Sequence, residues 1–400
     1  MHHSDVPTTA GTPSEVFGAF LKLGLTSFGG PIAHLGYFRD ELVTRRRWLS
    51  DQAYADLVAL CQFLPGPASS QVGFALGMMR AGWLGALAAF VAFTLPSALI
   101  LLVFALTATS LSGPSGTGAL HGLKIVAVAI VAQALLGMAR SLCPDHERAT
   151  IAVAAVVMLA FLPNGVGMVG AIVMGGVAGL LLRRGAASPA AHISIPVTRN
   201  QAGIALAAFA ILLLGLPLLA SLSQGWAVLD SFYRAGSLVF GGGHVVLPLL
   251  QAEVVAPGWV TPDRFLAGYG AAQAVPGPLF TFAAYLGAVL GPEPHGVPGA
   301  TLALLAIFLP GFLLLIGVLP FWDRIRAKPQ AQSAMQGANA AVAGILGASL
   351  YSPVFTSAIG NMRDFALALA CFVALVAWRA APWLVVLLAA VGGVALTLVS

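Results

Sequence analysis

Two cations stand where a cation is costly. Lys22 lies in the apolar stretch 15–33 and Arg234 in the apolar stretch 231–250. Each is followed six residues later by a glycine break, Phe28-Gly29-Gly30 with Pro31 in one case and Phe240-Gly241-Gly242-Gly243 in the other. A cation at bilayer depth costs about 2.5–3.5 kcal/mol, so it ordinarily faces a cavity or a partner. Such a pair could attract an anion from two sides. The alternative is that each side chain snorkels to a nearby interface.

Backbone groups form a second candidate set. Proline lacks an N–H and disrupts the helix before it, while glycine tolerates unusual dihedrals. A helix restarting after Phe28-Gly-Gly-Pro31, Pro65-Gly66-Pro67 or Pro276-Gly277-Pro278 therefore presents free amides at its N-terminus, where phosphate-like and sulfate-like anions bind. Ser27, Ser69, Ser70 and Thr281 could add hydroxyl donors, and Gln62 and Gln273 each precede a Pro-Gly-Pro break by three residues. His34 and His244 flank the glycine breaks and could donate to an anion or carry a proton. Glu41 and Glu253 are the candidates for proton coupling, with Asp56 also near a break; the bland alternative for each is an ordinary interfacial residue. Hydrolase, zinc-protease and P-loop patterns are absent, and His and Cys do not cluster at ligand spacing. The reading is therefore not of an enzyme, and no cofactor or metal is expected. Without a nucleotide site, an ion gradient or the membrane potential must supply the energy.

The elements that position these groups are set by composition. Of 400 residues, 59% are hydrophobic and 8% charged, against roughly 25% charged in soluble domains. Mean hydropathy is +0.93. So few polar groups cannot cover a water-facing surface, and lipid is the expected solvent. No Asp, Glu, Lys or Arg occurs between Arg80 and Lys124, Arg148 and Arg183, Arg199 and Asp230, Arg264 and Glu293, or Lys328 and Arg363. Each run exceeds the ~20 residues that cross a bilayer. The segments do not alternate apolar with polar residues, so helices are expected rather than a barrel.

Arg39, Arg45, Arg46, Arg47, Arg80, Arg140, Arg148, Arg183, Arg184, Arg199, Arg324, Arg326, Lys328 and Arg379 fall on one side if segments 52–79 and 264–290 enter, turn at Pro-Gly-Pro, and return. Excess Lys and Arg mark the cytoplasm. The net charge of +5 is read as topology, and no nucleic-acid partner is expected. Cys61, Cys143 and Cys371 are too scattered for a disulfide framework. No cleaved signal is read at the N-terminus.

The chain also repeats itself. FLKLGLTSFGG (20–30) aligns with FYRAGSLVFGG (232–242), pairing Lys22 with Arg234 and Phe28 with Phe240, and Glu41 falls on Glu253. With a one-residue slip Trp48 meets Trp259, Gln62 meets Gln273, and the two Pro-Gly-Pro breaks coincide; further on Pro96 meets Pro310. The expected organisation is a disordered tail 1–14, an N-terminal repeat 15–182, a cytoplasmic linker 183–200, a connecting helix 201–222 and a C-terminal repeat 223–400. The single connecting span inverts the second repeat. Inverted repeats with broken helices meeting near the midplane are a recurrent transporter plan, permitting alternating access as one half rocks against the other.

FGGPIAHLGYF (28–38) with Trp48, FLPGPASSQVG (63–73), FGGGHVVLP (240–248) and QAVPGP (273–278) resemble the chromate ion transporter family in its long, two-domain form, over about 15–398. The resemblance implies about 13 membrane segments, export of chromate across the bacterial inner membrane, and chromate resistance. The rivals are a transporter of sulfate or another tetrahedral oxyanion and, from another class, an anion channel. The expected partners are the oxyanion and the lipid bilayer, with a homodimer as one compatible assembly.

Overall fold

The computed structural model describes residues 11–108, 113–183, 196–240 and 242–399. The expected tail and linker lie largely, and Gly241 wholly, outside the described residues. Among them every regular element is helical. In chain order these are α1 (Pro13–Thr26), α2 (Gly30–Phe38), which continues as a π-helical turn over Arg39–Arg45, α3 (Asp51–Phe63) and α4 (Ala68–Ala108). Next come α5 (Pro114–Leu142), α6 (His146–Phe161), α7 (Gly165–Leu182), α8 (Arg199–Leu219) and α9 (Gln224–Ser237). Then follow α10 (Val246–Leu250) with a π-helical turn over Gln251–Val255, α11 (Pro262–Ala272), α12 (Phe282–Ala288), α13 (Gly296–Val318) and α14 (Trp322–Arg326). The last are α15 (Pro329–Ser349), α16 (Thr356–Ala358), α17 (Met362–Val376) and α18 (Pro382–Val399). Among the described residues, six helical segments are long and apolar enough to cross a membrane. The protein is a multi-pass, all-helical membrane protein.

The elements around each Pro-Gly-Pro break are short. The 13 residues of α3 rise about 20 Å at 1.5 Å each, less than a ~30 Å hydrocarbon core. α4 is not one rod. Ala81 and Gly82 leave the helical region (φ −143° and +64°), and a Cβ on Gly77 would strike the Gly85 carbonyl. Residues eight apart in a straight helix stand about 12 Å apart, so Ala68–Arg80 folds back on the arm that begins near Trp83. The second half does the same, because Gly287 of α12 faces the Gly299 carbonyl and Ala303 of α13. Glycine is needed at these places because the helix backbones touch.

Corresponding contacts recur across the molecule. Gly24 of α1 lies on the Ala92 and Phe93 carbonyls of α4, and Gly236 of α9 lies on the Ile307 carbonyl of α13. Between the halves the packing is exchanged. Gly118 and Gly122 of α5 abut Gly393 and Ala389 of α18, while Gly337 and Ser333 of α15 abut Gly175 and Gly179 of α7. The hydrophobic core does not divide at α8. One cluster gathers Val16–Phe93 with Leu315 and Trp322; another joins residues from Ala98–Ile172 with residues from Val228–Ala389. The halves are interleaved through these helix pairs.

Candidate functional site

α1 stops at Ser27, whose N–H donates to the Leu23 carbonyl at 2.9 Å. Gly29 and Gly30 then take φ of +97° and +78°, a region that L side chains avoid, and turn the chain into α2. α9 ends in the same way before Gly242, whose φ is +131°. These breaks meet the Pro-Gly-Pro breaks of the opposite half through two related hydrogen bonds. Gly66 N–H donates to the Val239 carbonyl at 2.8 Å, and Gly277 N–H donates to the Ser27 carbonyl at 2.9 Å. Ser27 and Val239 are equivalent positions, as are Gly66 and Gly277. The glycine breaks also touch each other. A Cβ on Gly243 would fall 2.9 Å from Pro31 Cγ, and one on Gly30 would fall 3.8 Å from His244 Nε2. All four interruptions therefore converge.

Polar groups line this convergence in the first half. His34 is 1% exposed, with Nδ1 3.4 Å from Ser69 Oγ and its ring 5.5 Å edge-on to Phe93. Ser97 Oγ donates to the Thr94 carbonyl at 3.0 Å and sits 2.8 Å from where a Gly277 Cβ would be. Thr94, one helical turn earlier, shares that face. The Gln71 side-chain amide donates to the Gly311 carbonyl at 2.8 Å and to the Pro65 carbonyl at 3.1 Å. Ser27 Oγ, His34 Nε2, Ser70 Oγ, Gln71 Oε1 and Thr94 Oγ1 are buried and find no hydrogen-bond partner. Buried polar groups are nearly always paired, and leaving one unmade costs about 1–3 kcal/mol. Five within one neighbourhood mark a place built for a polar ligand. The first amides of α4, at Ala68, Ser69 and Ser70, have no intrahelical acceptor, since the first turn of a helix lacks one. Elsewhere, Gln224, Trp322 and Asn339 also carry unpartnered buried atoms on other elements.

In the second half the groups are mostly satisfied. His244 Nδ1 pairs with the Tyr269 hydroxyl at 2.8 Å, and Thr281 Oγ1 donates to the Pro278 carbonyl at 2.7 Å. Gln273 Nε2 is buried without a partner. Gln62 is exposed and does not join the cluster.

The intramembrane cations are accounted for differently. Lys22 Nζ donates to Glu41 Oε2 at 2.8 Å, and Arg234 Nη2 donates to Glu253 Oε2 at 2.9 Å. Both pairs span 19 residues, so the duplication kept an ion pair rather than a lone cation. Their surroundings diverge. Glu41 also receives Arg45 at 3.1 Å and Arg46 at 2.9 Å; three cations and one carboxylate leave a net charge of +2. Arg234 is shared with Asp230 at 2.9 Å, and one cation with two carboxylates leaves −1. Burial alone would raise the Glu41 carboxyl, but hydrogen bonds from Lys22, Arg46 and Arg45 outweigh it and hold it at about 2. Each cation is paired with a carboxylate of its own half, and Arg234 Nε is buried without a partner.

Beside α2 and α3 an open cleft of about 510 Å³ is lined by Leu35, Gly36, Arg39, Asp51, Gln52 and Tyr54. The corresponding residues of the second half, Leu247 and Phe265, are 0% and 1% exposed, against 8% and 5% for Leu35 and Tyr54.

Reading by residue type missed Gln71, Thr94, Ser97, Tyr269 and Asp230. Asp230 had a usable signal, its i,i+4 spacing to Arg234. Thr94 and Ser97 flank Pro96, which was legible only as a repeat marker.

Comparison with known proteins adds the following. A family model described as "Chromate transporter" matches residues 14–180 and again 226–394. A chromate transport protein of Pseudomonas aeruginosa is 31% identical over 356 residues, covering 84% of this chain and 79% of that protein. A probable chromate transport protein of Synechococcus elongatus is 29% identical over 343 residues, 82% of this chain and 81% of that one. A chromate transport protein of Cupriavidus metallidurans is 26% identical over 339 residues, 82% and 79%. No solved structure matches the chain.

Proposed function

This chain belongs to the chromate transporter family, and from that premise we propose that it exports chromate from the bacterial cytoplasm across the inner membrane by alternating access, conferring chromate resistance. The observation that carries the reading is the meeting of four helix interruptions around buried, unpartnered donors. A dianion leaving water must exchange its hydration shell for fixed donors, and helix N-termini with hydroxyls supply them without a formal charge. Neutral donors suit a carrier, which must release what it binds.

On this reading the two repeats lie inverted in the membrane, with Arg39 and Arg45–Arg47 on the cytoplasmic face. The open cleft by α2 and α3 is then the cytoplasmic access route. The ion-pair clusters add direction. The +2 cluster around Glu41 draws an oxyanion to the cytoplasmic side, and the −1 cluster around Arg234 favours its departure outside. Because the halves interleave, the moving parts are the interrupted elements, sliding against the exchanged pairs α5–α18 and α7–α15. The membrane potential, negative inside, drives a net negative species outward, at about 2.3 kcal/mol per charge per 100 mV.

The test is flux of labelled chromate into inverted membrane vesicles from cells producing the protein. Energised vesicles should accumulate label above vesicles without the protein, and excess sulfate reports whether the isosteric dianion shares the site. Accumulation no greater than in control vesicles would refute the proposal, and sulfate carried in preference to chromate would replace its substrate.

A further inference from the structure

We infer that each chain holds a single oxyanion, in a pocket made by the first half alone, and that the equivalent pocket of the second half is a plugged copy. This rests on the oxyanion reading above and specifies which residues serve it. The pocket is Ser27, His34, Ser70 and Thr94 with the first amides of α4. All four side chains are at most 3% exposed, and each carries a polar atom without a partner. Contacts bring their elements together: His34 of α2 reaches Ser69 Oγ and stacks edge-on against Phe93, both on α4, which also carries Ser70 and Thr94. The Ser27 carbonyl is held by Gly277, which packs against Ser97 on the Thr94 face.

The duplication allows the same positions to be read in the second half. With the offsets that superpose the repeats, Ser27 becomes Val239, His34 becomes Val246, Ser69 becomes Phe280 and Thr94 becomes Phe308. These four are 0–1% exposed, and the Phe280 and Phe308 rings touch at 5.7 Å between centroids. Where the first half places hydroxyls, the second places a ring pair. The one hydroxyl retained, Thr281 for Ser70, is spent on the Pro278 carbonyl. A dianion cannot enter between the Phe280 and Phe308 rings, which offer no donors, because the desolvation would go uncompensated. The apolar half instead supplies a dry wall and a seal.

The test uses full-length purified protein with chromate, sulfate and molybdate as probes, following thermal stabilisation and, by calorimetry, stoichiometry. The wild type should bind one probe anion per chain. Thr94→Val is nearly isosteric and removes one donor to a charged ligand; affinity should fall about 10- to 100-fold, and Ser70→Ala should do likewise. Thr94→Ser, which keeps the hydroxyl, should stay within about threefold and controls for misfolding. Thr281→Val, which changes the plugged copy, should leave affinity unaltered. Two anions per chain, or equal losses in Thr94→Val and Thr281→Val, would overturn the inference while sparing the oxyanion reading. A wild type stabilised by none of the three anions would overturn that reading itself.

Discussion

Replacing Gly277 by alanine probes the junction between the halves at its tightest point. Gly277 has φ of +100°, and an L residue pays roughly 1–2 kcal/mol for a left-handed conformation. The added Cβ would stand 2.8 Å from Ser97 Oγ and 3.2 Å from the Phe93 carbonyl. The carbonyl belongs to a packed helix and cannot move far. Ser97 Oγ can rotate only by giving up its bond to Thr94, worth about 1 kcal/mol. Overpacking of this kind adds about 1–3 kcal/mol, so Gly277→Ala should destabilise by about 3–6 kcal/mol in all. Gly82 supplies the control. Its φ of +64° and ψ of −156° lie in a region essentially restricted to glycine, but nothing lies within 4 Å of its added Cβ, so Gly82→Ala should cost only backbone strain, about 1–3 kcal/mol. Adding Ser97→Ala to Gly277→Ala should recover part of the loss, because the nearest clashing atom is gone, whereas adding it to Gly82→Ala should not. Purified variants would be compared by thermal unfolding in detergent at one scan rate, since such transitions are often irreversible. Gly277→Ala should melt several degrees below Gly82→Ala and lose transport. Equal melting temperatures, or no rescue by Ser97→Ala, would refute the close packing of this break.

Three further outcomes follow from the ion pairs and the topology. Arg234→Ala leaves Asp230 and Glu253 without their shared cation and should destabilise by about 1–3 kcal/mol, whereas Lys22→Ala leaves Glu41 with Arg45 and Arg46 and should cost less than about 1 kcal/mol; equal losses would contradict the asymmetry. Glu41 is held at about 2 against an ordinary 4.5, so its contribution is present above pH 4.5 and lost as pH falls through 2. The stability gap between wild type and Glu41→Gln should therefore close over that window, and a gap constant with pH would refute the ion-pair account. After removal of Cys61, Cys143 and Cys371, Gln52→Cys should react with an impermeant thiol reagent only from the cytoplasm and His295→Cys only from outside; labelling of both from one face would exclude inverted repeats.

Much of the architecture was legible because membranes restrict the choices. Charge-free runs marked the spans, and the Pro-Gly-Pro and Phe-Gly-Gly breaks marked where helices had to stop. The recurrence of Lys22 and Glu41 as Arg234 and Glu253 exposed the duplication. What residue types could not supply was pairing across distance. Lys22 and Arg234 read as two cations aimed at one ligand because their distance from Glu41 and Glu253 in the chain hides the ion pairs. The exchange of helices between halves, set by Gly118, Gly122, Gly175 and Gly337, was equally hidden, since small-residue spacing signals close packing without naming the partner. Thr94 and Gln71 sit within ordinary-looking apolar stretches, and only their burial without partners singles them out. Conversely Gln62 followed the repeat pattern faithfully and still faces away from the site.

The most direct test of the central claim, that the converging breaks hold the oxyanion, is to locate a bound anion by anomalous diffraction from crystals grown with chromate or molybdate. The account predicts one peak per chain, within hydrogen-bonding distance of Ser70 and Thr94 and close to the amides that open α4. A sole peak beside Lys22 or Arg234, or among Phe280 and Phe308, would contradict it.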